Sequence, residues 1–238
     1  MSKAGQTLSL LDNSSLAFPC VSNALSDPNG LLAIGGDLKP ARIIESYRQG
    51  IFPWFGKNEP ILWWSPNPRA IIPCNKIRIN RTLQKFVKKS PYRITLNTAF
   101  TEVIEQCADA PFRKEETWIL PDMISAYADL HKRGYAHSIE IWQKEELVGG
   151  LYGIAINGYF SGESMFYSAN NASKIALIAL TRLLESIDVT FIDCQLTNPF
   201  LESMGCCEIT REQFLQLKDN AMKTAIEPDF WLPRELSL

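Results

Sequence analysis

A glycine-rich apolar segment that leads into a two-residue turn constrains the fold of this chain most strongly. Leu147 to Ile156 is typical of an apolar strand, with glycines at positions 149, 150 and 153, and Tyr159 to Phe166 is typical of its partner. Asn157 and Gly158 lie between them, and both accept the positive φ that a tight hairpin turn requires. The sequence therefore predicts a β-hairpin in this part of the chain.

Further helices and strands are predicted on both sides of this hairpin. Their order is strand, helix, helix, strand, the two hairpin strands, helix, strand and helix. The bounds outside the hairpin are Tyr92 to Leu96, Thr98 to Ala108, Pro121 to Lys132, Ala136 to Trp142, Asn171 to Glu185, Thr190 to Gln195 and Thr210 to about Met222. This order resembles the acyltransferase fold of the GNAT superfamily, which implies an α/β (α+β) class with a mixed sheet flanked by helices.

The local pattern divides the chain at residue 68. Residues 1–68 are rich in Pro and Gly turns, which predicts a small turn-rich N-terminal domain with few regular elements. One helix is predicted there over Pro40 to Arg48, because Pro suits a first helical turn and Gly50 can end the helix. Residues 69–238 then form the GNAT-like domain, which we expect to be catalytic.

Composition excludes several classes of protein. No apolar run in the 238 residues approaches the roughly 18 that span a bilayer, and no secretory signal is visible. We therefore expect a cytoplasmic protein without a membrane span. Six cysteines without a Cys-x-x-Cys pair predict free thiols, and two histidines give no zinc pattern, so we expect no metal. We further expect a monomer.

A local inversion of charge marks residues 61–101. The formal net charge of the chain is −2, yet this segment contains no Asp or Glu. On the helix that we predict at its centre, one face carries Arg81, Lys85, Lys88 and Lys89. Because Lys and Arg that neutralise phosphates supply most sequence-independent nucleic-acid affinity, this face predicts contact with a row of phosphates. A solvated cationic face without a ligand is the alternative.

Two strands carry polar residues that could act in chemistry. Glu163 follows Gly162, and because a strand glycine often marks a bulge, the direction of this carboxylate stays open. Asp193 and Gln195 lie two residues apart on an apolar strand, which places them on one face. In one arrangement the Asp193 carboxylate holds the Gln195 amide, whose carbonyl then accepts from a protonated nucleophile. An exposed edge carboxylate and a structural pair are the respective alternatives.

Eight motifs together resemble the leucyl/phenylalanyl-tRNA–protein transferase family, and they follow one another along most of the chain. The motifs are DPNGLLAIGGD at 27–37, GIFPW at 50–54, WWSPNPRA at 63–70, TWI at 117–119, GGLYG at 149–153, GESMF at 162–166, NASK at 171–174 and IDCQ at 192–195. The resemblance implies transfer of Leu or Phe, and less well Met, from aminoacyl-tRNA to proteins that begin with Arg or Lys. It also implies that the products are marked for degradation and that no cofactor is needed.

The same resemblance implies roles for the matching residues. The catalytic pair would be Asp193 and Gln195. The aminoacyl-adenosine at the end of the tRNA would be bound by Trp54, Trp118, Glu163 and Ser164. The apolar pocket for the donor side chain would be formed by Leu151, Phe160, Met165, Leu177, Leu180 and Ile192. The acceptor stem of the tRNA would lie on the cationic face of Arg81, Lys85, Lys88 and Lys89.

Two positions depart from the pattern that we expect of the family. A histidine is expected at the position of Phe200, so a role for that histidine has no counterpart here. Leu180 is Phe in some relatives, which can shift the preference between Leu and Phe.

Three other functions remain open on the residues alone. A coenzyme A-dependent N-acetyltransferase needs a glycine-containing loop that approaches a pyrophosphate, and residues 168–174 contain no glycine. A non-catalytic tRNA-binding protein explains the basic face but not a carboxylate and an amide on a core strand. An aminoacyltransferase that acts on peptidoglycan branches would use the same class of donor.

Overall fold

Two β-sheets organise the computed structural model, which describes residues 8–110 and 117–238. The first sheet has four short strands in the order β1-β2-β4-β3. Its strands are Ser9–Leu11 (β1), Leu31–Gly35 (β2), Phe52–Pro53 (β3) and Leu62–Trp64 (β4), and the helix Pro40–Arg48 (α1) joins β2 to β3. The predicted helix Pro40–Arg48 is confirmed, whereas the four strands were not predicted, because such short strands gain their stability from pairing rather than from a local pattern.

The second sheet has eight strands in the order β11-β5-β10-β9-β8-β7-β6-β12. Its strands are Arg69–Pro73 (β5), Arg93–Leu96 (β6), Ala136–Gln143 (β7), Glu146–Ile156 (β8), Tyr159–Tyr167 (β9), Phe191–Gln195 (β10), Cys207–Ile209 (β11) and Arg234–Leu236 (β12). The remaining helices are Arg81–Lys88 (α2), Phe100–Ala108 (α3), Pro121–Lys132 (α4), Ala172–Glu185 (α5), Pro199–Ser203 (α6) and Arg211–Ala221 (α7). Within this second sheet, neighbouring strands are antiparallel except for β9 and β10, which are parallel.

The predicted hairpin is confirmed, because β8 and β9 pair antiparallel with Ile156 opposite Tyr159. The other elements predicted from residue 92 onward are present in the predicted order, and the mixed α/β class is confirmed. The Thr210 side chain and the Gln213 side chain form a capping box at the start of α7. The pattern missed β5, β11, β12 and α6, since elements of three to five residues carry little periodicity.

Two hydrophobic clusters lie on the two faces of the eight-stranded sheet. α5 packs on one face together with Leu151 of β8. α3 and α4 pack on the other face together with Tyr152, and this cluster also includes Trp63 and Tyr47 from the first sixty-eight residues. The two sheets thus share one core, and the division into domains at residue 68 stays a prediction.

In the described part of the chain, the helices are too short or too polar to cross a lipid bilayer. The cytoplasmic location and the monomeric state stay predictions.

Close backbone approach within the hairpin makes Gly153 sensitive to substitution. A Cβ at this position would lie 2.3 Å from the carbonyl oxygen of Ser161 and 2.5 Å from the ring of Phe160. At Gly162 on the facing strand, the nearest atom would be 3.6 Å from the new Cβ, which is ordinary contact. Gly153→Ala should therefore lower the free energy of unfolding by about 1–3 kcal/mol, and Gly162→Ala should lower it less. Urea denaturation of the two variants measures the difference, and equal midpoints would contradict the packing described here.

Candidate active site

A cavity of about 560 Å³ opens beside the parallel strands β9 and β10. These strands pair at Phe160 with Ile192 and at Ser161 with Asp193, and beyond these positions they separate. The wall of the cavity is completed by β8, α5 and the segment that leads into α6. The separation of these two adjacent strands thus forms a cleft, in which a bound substrate can contact side chains of both strands.

Nine of the residues predicted for the donor site and the catalytic pair line this cavity. They are Trp118, Leu151, Glu163, Ser164, Met165, Leu177, Leu180, Ile192 and Gln195. The segment before and within α6 adds Phe200, the position where a histidine is expected, and four residues that were not predicted for the site, Leu196, Asn198, Pro199 and Leu201. Positions far apart in sequence are therefore brought together around one space, while their individual roles stay predictions.

Three predicted residues lie outside the lining of the cavity, and two of them are aromatic. Trp54 follows β3, is 41% exposed, and packs on Trp64 with ring centroids 5.4 Å apart. An exposed indole remains able to stack on a base. Phe160 is buried and stacks on Trp231, with 5.9 Å between ring centroids. Phe160 belongs to the same buried cluster as Leu177 and Ile192, which line the cavity, and its place in the donor pocket stays a prediction.

The third, Asp193, is fully buried and paired with Arg69. The guanidinium donates from Nε and Nη2 to the two carboxylate oxygens, both over 2.8 Å. The Tyr159 hydroxyl donates to the same carboxylate over 2.6 Å. Charge-assisted bidentate bonds of this kind are strong and fix the planes of both groups. The predicted arrangement in which Asp193 holds the side-chain amide of Gln195 is therefore wrong, because other donors occupy the carboxylate.

Arg69 itself is enclosed on every side by the fold. Its guanidinium lies over the rings of Phe52, at 4.9 Å, and Phe214, at 4.4 Å, and Nη1 donates to the Gly50 carbonyl over 3.3 Å. The neighbouring Asp193 carboxylate raises the pKa of Arg69 against the lowering effect of burial, so the arginine stays charged. The buried pair thus joins β5 and β10 to the segment around β3 and to α7.

Gln195 leaves the regular alternation of β10. Its φ of 57° is left-handed, and the pairing of β10 with β5 shifts register between Asp193 and Gln195. The predicted placement of both side chains on one face is therefore corrected. The Gln195 backbone N–H donates to Asp193 Oδ1 over 3.1 Å, while its side-chain Nε2 donates to Ser161 Oγ over 2.7 Å. The amide consequently lies across the gap between β9 and β10.

Glu163 is the carboxylate that lines the cavity, and a bulge sets its direction. Gly153 pairs with Gly162 and the preceding Tyr152 pairs with Ser164, so Glu163 is the extra residue on β9. Its oxygens accept hydrogen bonds from Ser161 Oγ over 3.1 Å and from the Tyr127 hydroxyl over 3.2 Å. The question of its facing is thereby answered, because the carboxylate points toward the cavity and toward α4.

Burial raises the pKa of Glu163 to about 7, although hydroxyl hydrogen bonds from Tyr47, Ser161 and Tyr127 lower it. The Tyr47 and Tyr127 hydroxyls lie 2.7 Å apart beside the carboxylate, so one of them can donate a hydrogen bond to the other. A carboxyl group with a pKa near neutrality can hold or release a proton under ordinary conditions.

Five of these polar residues were not predicted for the site, namely Arg69, Ser161, Tyr47, Tyr127 and Tyr159. A weak signal existed for Arg69, since it begins the otherwise apolar run Ala-Ile-Ile, and a buried Arg needs a carboxylate partner. Tyr47 and Tyr127 give no such signal, because their hydroxyls meet through the packing of α1 on α4, and Tyr159 gives none, because its partner Asp193 lies on another strand.

The predicted cationic face is present on α2. Arg81, Lys85 and Lys88 on the helix and Lys89 directly after it are exposed. Leu83 is buried, and Asn80 caps the helix by accepting from the Leu83 N–H over 2.8 Å. Arg69, although it belongs to the same acid-free segment, is fully buried and cannot meet phosphates. Contact of this face with tRNA stays a prediction.

A second cavity, of about 550 Å³, lies beside the start of β7 and the end of β8 and contains none of the predicted donor-site residues. His137 in its wall stacks on Trp231 with 4.0 Å between ring centroids. Burial lowers the pKa of His137 to about 3, so its ring stays neutral. In the described ranges, no group of three or more His, Cys, Asp or Glu side chains is arranged to hold a metal ion.

Comparison with known proteins decides the family. A protein-family model described as leucyl/phenylalanyl-tRNA protein transferase matches residues 71–219. A second family model, for the N-terminal domain of the same protein, matches residues 36–67. The chain belongs to the leucyl/phenylalanyl-tRNA–protein transferase family. The resemblance drawn from the eight motifs is thereby confirmed, and so is the predicted enzyme class, an aminoacyltransferase.

Curated members of this family resemble the chain along almost its whole length. The leucyl/phenylalanyl-tRNA–protein transferase of Colwellia psychrerythraea is 58% identical, over 98% of this chain and 99% of its own. The same-named protein of Pseudoalteromonas atlantica is 52% identical, over 94% of this chain and 95% of its own. Among solved structures, L-PGS from Bacillus licheniformis is 14% identical with a TM-score of 0.39, over 86% of this chain and 66% of its own, which is too little to relate the folds.

The raised pKa of Glu163 makes stability depend on pH. The folded state binds the Glu163 proton more tightly than the unfolded state, so the stability present at pH 4.5 is lost as pH rises to about 7. A shift of this size corresponds to about 3 kcal/mol. Glu163→Gln removes the ionisation, so its stability relative to the unsubstituted protein should increase by up to that amount over this range. Urea denaturation at a series of pH values measures this, and a constant difference would contradict the assignment.

Proposed function

We propose that this chain transfers leucine or phenylalanine from aminoacyl-tRNA to the α-amino group of proteins that begin with Arg or Lys. The observation that carries the proposal is the family membership, joined to a largely apolar cavity that ends at Glu163 and Gln195. The acylated end of the tRNA is the donor substrate, and the acceptor is a protein N-terminus. Transfer of Met with lower efficiency, and degradation of the product, are parts of the same proposal.

The donor side chain occupies the apolar part of the cavity in this proposal. Support comes from Leu177 and Leu180 on α5, which line the space together with Met165 and Ile192. One methylene in such a pocket changes binding by about 1–3 kcal/mol, so preference among Leu, Met and Phe is graded rather than absolute. Phe200 adds a further apolar ring to the wall, at the position where a histidine was expected.

The chemistry requires positioning more than activation, because the donor is already an ester. The acceptor α-amine has a pKa near 7.7–8.0, so a useful fraction is neutral at pH 7. A carbon–nitrogen bond forms at the ester carbonyl, the carbon–oxygen bond to the ribose breaks, and the proton of the amine passes to the leaving ribose oxygen. We assign to the Gln195 carbonyl the hydrogen bond from the attacking amine, which aims its lone pair at the ester.

The two carboxylates of the predicted site have different tasks in this proposal. Asp193 is neutralised by Arg69 and acts at a distance, by fixing the end of β10 and the backbone of Gln195. Glu163 lines the cavity and is therefore the carboxylate that can meet a cationic acceptor or the donor amino group. Trp118 and Ser164 line the same space, which supports stacking of the Trp118 indole on the terminal adenosine.

The cationic face of α2 holds the acceptor stem in this proposal. Four exposed cations on and directly after one helix, with no acidic residue between positions 61 and 101, support a phosphate contact. Such contacts position a nucleic acid without specifying its sequence.

A GNAT-like character of the eight-stranded sheet is also proposed, on the basis of the order of its strands and helices. A cytoplasmic location and a monomeric state are proposed as well.

A transfer assay tests the proposal directly. The purified protein is mixed with labelled Leu-tRNA or Phe-tRNA and with peptides that begin with Arg, Lys or Ala but are otherwise identical. Label should appear on the Arg and Lys peptides and stay at background on the Ala peptide. Salt-sensitive binding of tRNA without labelled peptide would contradict the proposal and favour a non-catalytic tRNA-binding protein.

Neutralising two cations of α2 should weaken the use of tRNA. In the double variant Lys85→Gln/Lys88→Gln, the KM for aminoacyl-tRNA should rise, and the dependence of log K on log salt should lose about one unit per lost phosphate contact. Lys132→Gln, which removes an exposed charge from α4, is the control and should change neither quantity. An unchanged KM in the double variant would place the acceptor stem elsewhere on the surface.

A further inference from the structure

The amide of Gln195 is held by a serine. Gln195 Nε2 donates to Ser161 Oγ over 2.7 Å. Within residues 8–110 and 117–238, this is the hydrogen bond found for the side chain of Gln195, and its carbonyl oxygen has no protein donor. The contact crosses from β10 to β9 just where the two strands begin to separate. It therefore fixes the amide at the edge of the cavity.

Ser161 is a rigid point of attachment. Its side chain is fully buried, and its backbone pairs with Ile154 on one side and Asp193 on the other. Its hydroxyl oxygen also lies 3.1 Å from Glu163 Oε1 and 3.5 Å from Asp193 Oδ2. One hydroxyl thus meets two carboxylates and one amide.

The charges around Ser161 decide which end of the amide faces it. A serine hydroxyl has one proton and two lone pairs. A bond from hydroxyl to carboxylate is charge-assisted, so the proton points to Glu163 or Asp193 and a lone pair is left for Gln195. A carbonyl oxygen in that place would face the lone pairs and both carboxylates, which disfavours it. Because the amide is planar, a hydrogen bond from its nitrogen to Ser161 turns its carbonyl oxygen away from the carboxylates. In that direction the oxygen can accept a hydrogen bond from an attacking amine.

We propose that Ser161 is a positioning residue for amino-acid transfer, which acts by aiming the Gln195 carbonyl at the attacking amine. This inference rests on the proposed function. Ser161 touches neither substrate and changes no bond. Without its hydroxyl the Gln195 amide can rotate, and a fraction of bound substrates meets the amide nitrogen, which cannot accept from an amine.

A double-mutant cycle tests this inference. Transfer from Phe-tRNA to an Arg peptide is measured for the unsubstituted protein, Ser161→Ala, Gln195→Ala and the double variant. Ser161→Ala should lower kcat at least 10-fold and leave the KM for Phe-tRNA within twofold. In the Gln195→Ala background the same substitution should change kcat less than twofold, because residues that act through one another are not additive. Equal losses in both backgrounds would overturn the proposal.

Two further variants separate positioning from folding. Ser161→Cys keeps a small group with donor and acceptor capacity and should recover part of the kcat lost in Ser161→Ala. Ser46→Ala removes the hydroxyl of an equally buried serine, which bonds the Ile43 carbonyl within α1, and should leave kcat unchanged. If the unsubstituted protein transfers nothing, the proposed function fails and this inference with it. If it is active and Ser161→Ala matches its kcat, only the role of Ser161 is overturned.

Discussion

The fully buried ion pair of Arg69 and Asp193 is the contact on which the rest of the site depends. Two charges without access to water are tolerated when each is paired and hydrogen-bonded, and removing one partner of such a pair typically costs about 3–5 kcal/mol. Here the guanidinium is bound by the carboxylate, the Gly50 carbonyl and two aromatic rings, and the carboxylate also accepts from Tyr159. The pair therefore fixes the position of β10 relative to β5, β9 and the small sheet.

The cavity forms where β9 and β10 separate, directly after this ion pair. β9 and β10 stay paired as far as Ser161 and Asp193 and then separate, so the groups that follow them in sequence, Glu163 and Gln195, lie on the two sides of one gap. A bulge turns Glu163 inward, and a left-handed backbone turns Gln195 toward Ser161. Apolar side chains from α5 cover the same gap, which gives the space an apolar part and a polar end.

Periodic patterns predicted the larger elements of this fold, including the hairpin of β8 and β9 and the helix α4, because long segments repeat their signal many times. The short strands and α6 could not be predicted, since pairing with distant residues stabilises them. For the site, the resemblance to the family predicted nine of the nineteen residues that line the cavity. It did not predict that Asp193 pairs with Arg69, because the partner lies 124 residues away in sequence. Strand alternation placed Gln195 on the wrong face, since alternation fails where the register of β10 shifts between Asp193 and Gln195.

A crystal structure with an aminoacyl-adenosine analogue, in which an amide replaces the reactive ester, tests the central claim most directly. The account predicts that a phenylalanyl side chain lies against Leu177, Leu180 and Met165, and that the carbonyl carbon lies between Glu163 and Gln195. Both cavities are of similar volume, so the position of the ligand discriminates between them. An analogue bound beside His137 and Trp231, with the cavity at β9 and β10 empty, would contradict the account.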